Sequence, residues 1–258
     1  MRFLALVQNE IMKINSKKQS IFFLYFCLVF IIGIGIANRS LPDLYAAREY
    51  LKFTYNLAPF LMIFVTLFAI VLGAQSITDE FKDGTIKQLL LRPVSRRTIL
   101  LSKYVANLIV IIGTVLVLWA ASVLIDVLLF GMVRSGELTF GIVCKTYLYG
   151  LPDSIFMMTL SFFIATVFKS SPLSITVSFF LYIAGNMLSS LLPEKWGAKY
   201  IIFNNLNLKV YDPNLLINGG IEPPFSGMSF GFSVAMMIVY IAGLLLIQIA
   251  VFEKREVY

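Results

Sequence analysis

The stretch LAPFLMIFVTLFAIVLGAQSI, residues 57–77, decides the fold class because it carries no charged side chain over its whole length. A helix of about 20 predominantly apolar residues is long enough to cross the hydrocarbon core of a bilayer, which is about 30 Å thick. Buried core helices of soluble proteins are usually shorter than this. The stretch therefore predicts a transmembrane helix.

Five more apolar blocks of similar length lie on either side of this one. The whole chain is 59% hydrophobic and only 14% charged, whereas a soluble domain is about 25% charged. The third block is compatible with a helix that already begins in the cytoplasm at Ser95. We therefore predict an all-α polytopic membrane protein with six transmembrane helices. The five further spans are predicted at about 20–37, 104–130, 146–168, 172–192 and 230–252.

Several kinds of chemistry are excluded by composition. The 258 residues contain no histidine, so the chain has no Ser-His or Cys-His dyad and no HExxH zinc site. No GxxxxGK[ST] motif occurs, so the chain has no P-loop of its own. Cys27 and Cys144 are interpreted as free thiols. We expect this chain to perform no catalysis and to hold no cofactor or metal.

Basic residues are distributed unevenly between the two sides that six spans create. One side has 13 of the 21 Lys and Arg residues: four in the leader, six in residues 78–103, Lys169 and two at the C-terminus. The other side has the remaining 8. Basic loops stay in the cytoplasm, so both termini and residues 78–103 are predicted to be cytoplasmic. The net charge of +7 is explained by lipid headgroups and topology rather than by nucleic acid.

Residues 1–19 precede the first span and are predicted to form an amphipathic helix at the cytoplasmic membrane surface. Apolar residues recur at helical spacing, and basic residues lie largely away from them. The apolar face comprises Phe3, Leu4, Val7, Ile11 and Ile14. Residues 20–258 would then form the six-helix transmembrane domain.

The segment TDEFKDGTIKQLLLRPVSRRTILLSK, residues 78–103, is polar at its edges and contains a short amphipathic core. Gly84 can end the second span in the left-handed conformation. Thr85 can cap a short helix, which Pro93 would stop. Ser95 is predicted to cap the third span. A short helix with exposed leucines between two spans favours docking to a cytosolic partner, and the alternative is that it lies in the lipid interface.

This loop resembles the signature cytoplasmic loop of ABC-2 type permeases, the membrane subunits of ATP-binding cassette exporters. The basic leader, the six spans and a long outer segment between the fifth and sixth spans agree with the same family. The resemblance is carried by Glu80, Gly84, Thr85, Ile86, Leu89, Leu90, Pro93, Ser95 and Arg96.

The resemblance implies that those nine residues form the coupling site for an ATPase. The leader would be the connecting helix, and the short helix of the loop would be the coupling helix. ATP and Mg would be bound by a separate nucleotide-binding subunit, and the assembly would contain a second permease subunit, identical or paralogous. The implied function is export of a substrate across the cell membrane. The substrate class stays open among peptides, antibiotics, lipids and ions.

The outer segment, residues 193–229, is long for a structureless loop. It mixes aromatic and aliphatic residues, which is typical of short helices in the outer membrane interface. The resemblance implies short re-entrant helices here that close the outer gate, and the alternative is a plain extracellular loop.

Two acids interrupt the apolar spans, Asp126 in the third and Asp153 in the fourth. Acids within the membrane are costly and often functional, so both are candidate pathway residues that could share a proton, bind a cation or contact a basic substrate. The alternative is that both are hydrated at the outer headgroups. The acids also support an alternative function, an ATP-independent ion-coupled carrier or channel. A membrane enzyme is a third, weaker interpretation.

Overall fold

A computed structural model of the protein describes residues 3–40, 51–82, 84, 94–132, 137–193 and 197–254, without the side chains of Asn186 and Ser190. Every regular element within these ranges is helical, which confirms the predicted all-α class. Six of the helical segments are long and apolar enough to cross a membrane. The nine α-helices of the described ranges are α1 Phe3–Ser16, α2 Gln19–Ser40, α3 Lys52–Lys82, α4 Arg96–Phe130, α5 Phe140–Leu148, α6 Leu151–Phe168, α7 Ser171–Leu191, α8 Leu215–Asn218 and α9 Phe230–Lys254.

The helices α3 and α4 are longer than a membrane is thick. They contain 31 and 35 residues, which at about 1.5 Å per residue gives lengths of about 46 and 52 Å. The hydrocarbon core is about 30 Å thick. Both helices therefore continue into the interfacial region at one or both ends. The third span is continuous with a helix that starts beside Ser95, as predicted.

The fourth span differs from its prediction. We expected one helix over 146–168, but the apolar helical segment begins at Phe140 and is divided into α5 and α6. The division falls at Tyr149 and Gly150, directly before Pro152 in the first turn of α6. Proline lacks a backbone N–H and suits the first turn of a helix, so its position starts a new helix there.

The predicted helix ends are formed by local hydrogen bonds. The Ser95 side chain caps α4 by accepting from the Thr98 N–H at 3.3 Å. α6 ends at Phe168. The next residue, Lys169, has a left-handed backbone with φ 56°, and its N–H donates to the Ala165 carbonyl. Only Lys169 and Ser170 separate α6 from α7, so these two spans form a tight hairpin.

The centre of the bundle is the contact between α3 and α6. Gly73 of α3 lies so close to α6 that an added Cβ would be 2.5 Å from the Met158 carbonyl oxygen. Close to this contact, the Ser161 hydroxyl of α6 donates to the Ile70 carbonyl of α3 at 2.7 Å. Small residues and hydroxyl groups at helix contacts are what membrane bundles use in place of a hydrophobic driving force.

Five parts of the chain lie at one end of the bundle, which we call the loop end. They are α1, the last turn of α3, the first turn of α4, the turn between α6 and α7, and the last turn of α9. Cross-contacts join these parts: Lys169 Nζ lies 5.3 Å from the Phe81 ring centroid, and Arg97 donates to the Glu253 carboxylate at 3.0 Å. The first and last described helices therefore lie at the same end, as six spans require.

Gly73→Ala tests the close approach of α3 and α6. The new methyl group would meet a backbone oxygen rather than a flexible side chain, so the two helices must separate. Overpacking of this kind costs about 1–3 kcal/mol, and we expect a lower thermal unfolding midpoint in detergent. Gly113→Ala in α4 is the matched control because no atom lies within 4 Å of the added Cβ. Equal midpoints for the two variants would contradict the packing described here.

Candidate functional site

The amphipathic leader is a helix, α1, but its buried face is not the predicted one. α1 packs against α4 and α2, and its buried residues are Leu6, Val7 and Glu10. Leu4, which was placed on the apolar face, is 76% exposed. The predicted face contacts the protein along one edge and leaves the other edge open. α1 therefore docks onto the bundle as well as presenting apolar side chains outward.

A buried cluster of charges lies where α1 meets the bundle. The Lys103 ammonium of α4 donates to the Glu10 carboxylate of α1 at 2.7 Å and to the Glu80 carboxylate of α3 at 2.8 Å. Lys103 and Glu80 are each only 2% exposed. One cation therefore joins three helices, and each carboxylate has a charged hydrogen-bond partner, as burial of an ion requires.

Two further lysines extend this cluster towards solvent. Lys13 of α1 also donates to Glu80, and Lys17, which follows α1, donates to Asp79. Both lysines are about one-third exposed, so these pairs contribute less than the buried ones. Their effect is to align the end of α1 with the last turn of α3.

Four of the predicted coupling residues lie within the described ranges, and they flank the loop. Glu80 lies inside the charge cluster, so its side chain is turned to α1 and α4. Gly84 has φ 67°, the left-handed conformation expected after a helix end. Ser95 caps α4, and Arg96 donates to the Glu253 carbonyl at the end of α9 at 3.1 Å. The other coupling candidates lie outside the described residues: Thr85, Ile86, Leu89, Leu90 and Pro93.

Asp126 acts as a cap for another helix. Its Oδ2 accepts from the Thr54 backbone N–H at 2.9 Å and from the Thr54 hydroxyl at 2.8 Å. Thr54 lies in the first turn of α3, where backbone N–H groups have no partner within the helix. Leu51, directly before α3, has a left-handed backbone with φ 69°. Asp126 of α4 therefore supplies a capping carboxylate to the start of α3.

Asp153 lies in a different environment, at a pocket of about 330 Å³. The Tyr182 hydroxyl of α7 is hydrogen-bonded to the Asp153 carboxylate and to Thr66 of α3. Lys209 of the outer segment interacts electrostatically with Asp153. Burial lowers the pKa of Lys209, and the nearby Asp153 opposes that shift. The pocket thus contains one carboxylate and one amine, contributed by different parts of the chain.

The outer segment is folded onto the bundle rather than forming a plain loop. Its 3₁₀ helices are Ala198–Tyr200, Ile202–Asn205 and Leu208–Tyr211, and α8 follows them. Phe203 fills the space beside Gly185, where an added Cβ would lie 2.3 Å from its ring. Gly185 is about 9 Å before the end of α7 at 1.5 Å per residue, so the segment packs below the end of that helix.

Asp212 fastens this segment to α5. Lys145 donates to its Oδ2 at 3.0 Å, Tyr149 donates to the same oxygen at 2.8 Å, and the Asn214 N–H donates to Oδ1 at 3.0 Å. Burial alone would raise the pKa of the Asp212 carboxyl, but these hydrogen bonds and the Lys145 charge outweigh it, so the pKa lies below its usual value. The carboxylate form therefore holds the outer segment in place.

The two membrane acids have separate partners. Asp126 is bonded to Thr54, and Asp153 is bonded to Tyr182. No contact joins the two carboxylates within the described ranges, and no group of three or more His, Cys, Asp or Glu residues there could hold a metal. The expectation that the two acids share a proton has no support in this geometry.

Three charged residues that complete these sites were not predicted as site residues from the sequence: Glu10, Lys103 and Lys209. Glu10 carried a readable signal, because it lies at helical spacing from Leu6 and Ile14 on an otherwise apolar face. Lys103 had a weaker signal as the last basic residue before the third apolar block. Nothing in the sequence around Lys209 indicates its position beside Asp153.

Lys103→Met tests the charge cluster. The variant leaves two buried carboxylates without their common cation, and breaking a buried pair in this way costs about 3–5 kcal/mol. We expect a large fall in the thermal unfolding midpoint and faster proteolysis between α1 and α2. Removing all three charges, with Glu10→Gln, Glu80→Gln and Lys103→Met together, should recover much of the loss. Lys82→Met, at an exposed site on the same end of α3, should change little. A stable Lys103→Met protein would be incompatible with the cluster.

Two substitutions at Asp126 test whether its side chain caps α3. Asparagine keeps an oxygen that can accept from Thr54, whereas alanine does not. Loss of a cap costs about 0.5–2 kcal/mol, so Asp126→Ala should lower the unfolding midpoint and Asp126→Asn should keep a midpoint near that of wild type. A midpoint in Asp126→Asn as low as that in Asp126→Ala would contradict the capping role.

The comparisons with known proteins agree with a membrane protein. "Uncharacterized protein YhcI" of Bacillus subtilis (strain 168) is 31% identical over 211 residues, which cover 76% of this chain and 65% of the relative. "Uncharacterized membrane protein YdbK" of the same organism is 29% identical over 213 residues, which cover 81% of this chain and 82% of the relative. The chain spans just under two thirds of the first of these relatives. The family described as "Protein of unknown function (DUF2705)" matches residues 3–258, and the chain therefore belongs to the DUF2705 family.

Proposed function

We propose that this protein is the transmembrane permease subunit of an ABC exporter, and that a separate nucleotide-binding subunit hydrolyses the ATP. The observation that carries the proposal is the buried cluster of Glu10, Glu80 and Lys103. It joins the leader helix to both helices that flank the loop resembling a coupling loop. A displacement of that loop would therefore move α3, α4 and the leader helix together.

The arrangement at the loop end supports this mechanism. Ser95 caps α4, and Arg96 holds the end of α9. The loop therefore starts and finishes on helices that are tied to each other by charged hydrogen bonds, which are the stronger kind. The sequence contains no P-loop, so the proposal assigns the ATPase activity, with its ATP and Mg, to the partner chain. A second permease subunit, identical or paralogous, completes the proposed assembly.

The proposed orientation places the loop end in the cytoplasm of a bacterial cell. Both termini and residues 78–103 then face inside, and the outer segment faces outside. The basic excess on the leader and the loop supports this assignment. Lys13, Lys17 and Lys103 belong to that excess and are also paired with acids, so they contribute to topology and to packing.

The double substitution Leu89→Ala/Leu90→Ala tests whether the loop docks an ATPase. Central anchor residues of an interface each cost about 2 kcal/mol or more when truncated, so two losses would weaken association by about 10²–10³ if they add. We expect the variant to insert and fold normally, to lose copurifying ATPase and to lose transport. The decisive measurement is the ratio of ATPase to permease recovered in mild detergent at equal permease level.

Two leucine variants serve as controls for this experiment. Leu215→Ala removes an exposed leucine at the opposite end, 72% exposed, and Leu4→Ala removes one on α1, 76% exposed. Both should copurify ATPase at the wild-type ratio. A wild-type ratio in the double-leucine variant, or the absence of any ATPase in the wild-type preparation, would count against the proposal.

A further inference from the structure

The pocket beside Asp153 is built from four parts of the chain. Its wall includes Thr66 of α3, Asp153 at the start of α6, Tyr182 of α7, and Phe203 and Lys209 of the outer segment. Its volume of about 330 Å³ lies at the lower end of small-molecule pockets, which are about 300–1,000 Å³. The pocket has room for a small headgroup and not for a large substrate.

The floor of this pocket has an acceptor that the protein does not use. Asp153 Oδ1 is buried and has no hydrogen-bond partner in the described part of the chain. The other side of the carboxylate is engaged by Tyr182, which belongs to a series of hydroxyls with Thr66 and Ser154. The carboxylate is thus held in place by one set of contacts, and Asp153 as a whole remains partly exposed in the lining of the pocket. An unpaired buried acceptor is costly unless a ligand supplies the donor or the positive charge.

A second charge in the pocket lining, that of Lys209, limits which ligand fits. Lys209 interacts electrostatically with Asp153, but the two do not form a direct ion pair in the residues that the structure describes. A simple cation at Asp153 would be repelled by Lys209, and a simple anion at Lys209 would be repelled by Asp153. A purely apolar ligand would leave both charges unsatisfied. A ligand that carries both charges satisfies both groups.

The remaining wall suits the cationic part of such a ligand. Aromatic residues Tyr149, Tyr182 and Phe203 and the thioether residue Met62 line the pocket. Aromatic rings attract ammonium groups, and choline-like cations in particular. We propose that this pocket binds a compact zwitterionic group, with its ammonium at Asp153 and its phosphate or carboxylate at Lys209.

This inference goes beyond the proposed function and does not depend on it. Binding is measured on the purified full chain without an ATPase, so failure of ATPase docking leaves the pocket untouched, and failure of binding leaves the docking test unchanged. The zwitterionic group has two possible sources, the headgroup of a membrane lipid and a soluble zwitterion. Both present the same chemistry to Asp153 and Lys209.

The test compares three probes with the same chain but different charge: octylphosphocholine, octyltrimethylammonium and octyl phosphate. In maltoside detergent, calorimetry should give an affinity for octylphosphocholine about tenfold or more above that for either singly charged probe. Its phosphate can accept a hydrogen bond from the Lys209 ammonium. Its trimethylammonium, which has no N–H to donate, is attracted by the Asp153 charge and the aromatic rings. Phosphocholine without a chain separates the two sources. Similar affinity with and without the chain indicates a soluble zwitterion, and dependence on the chain indicates a lipid.

Each single substitution should remove the contribution of one charge and so abolish the preference for the zwitterionic probe. Asp153→Asn should bind octylphosphocholine about tenfold less tightly and retain octyl phosphate, and Lys209→Gln should lose octyl phosphate and retain octyltrimethylammonium. Lys199→Gln, in the same outer segment, is the control and should keep the wild-type order. Asparagine is nearly isosteric with aspartate, so Asp153→Asn is expected to fold. If Asp153→Asn does not fold, Lys209→Gln still tests the second charge. No binding of octylphosphocholine, equal affinity for all three probes, or variants that bind as wild type would overturn the proposal.

Discussion

The Lys103 ammonium lies between the carboxylates of Glu10 and Glu80, and the arrangement of the loop end depends on it. Removing three charges from water carries a desolvation cost that only close, charged hydrogen bonds can offset. The three helices involved must therefore keep a fixed spacing and register wherever the cluster is intact. α1 is short and would be marginal as an isolated helix in water. Its attachment to the bundle comes from this cluster together with Leu6 and Val7.

α4, the helix that carries Lys103, is bonded to α3 near both ends of α3. Lys103 binds Glu80 near the last turn of α3, and Asp126 caps the first turn at Thr54. Lys103 and Asp126 are separated by about 35 Å at 1.5 Å per residue, close to the bilayer's apolar thickness of about 30 Å. The two polar contacts thus lie near opposite membrane interfaces, where charged groups cost least. The pair is therefore fixed in register at both ends and behaves as one unit.

Features with a local cause could be predicted from the sequence, and features that depend on distant partners could not. The six spans follow from apolar length, and the Ser95 cap follows from the residues beside it. Asp126 was recognised as unusual, but its partner Thr54 lies 72 residues away and no pattern connects them. An added Cβ at Gly33 meets no atom within 4 Å, whereas one at Gly73 meets a backbone carbonyl oxygen, and nothing in the sequence around them distinguishes the two glycines. Small-residue spacing permits close packing without choosing the partner.

The two charges of the outer pocket belong to different parts of the chain, and the Tyr55 hydroxyl of α3 donates to the Leu216 carbonyl of the outer segment. Asp153 begins α6, which is fastened to α3 by the Ser161 hydroxyl and by the close approach at Gly73. Lys209 belongs to the outer segment, which Asp212 fastens to α5. Any displacement of the α3–α4 unit relative to the outer segment would therefore change the distance between the two charges. A zwitterionic ligand fits only one range of that distance, so its binding and the position of α3 are linked, and each would bias the other. The charge cluster at the loop end and the pocket at the opposite end are in this way connected through a single helix.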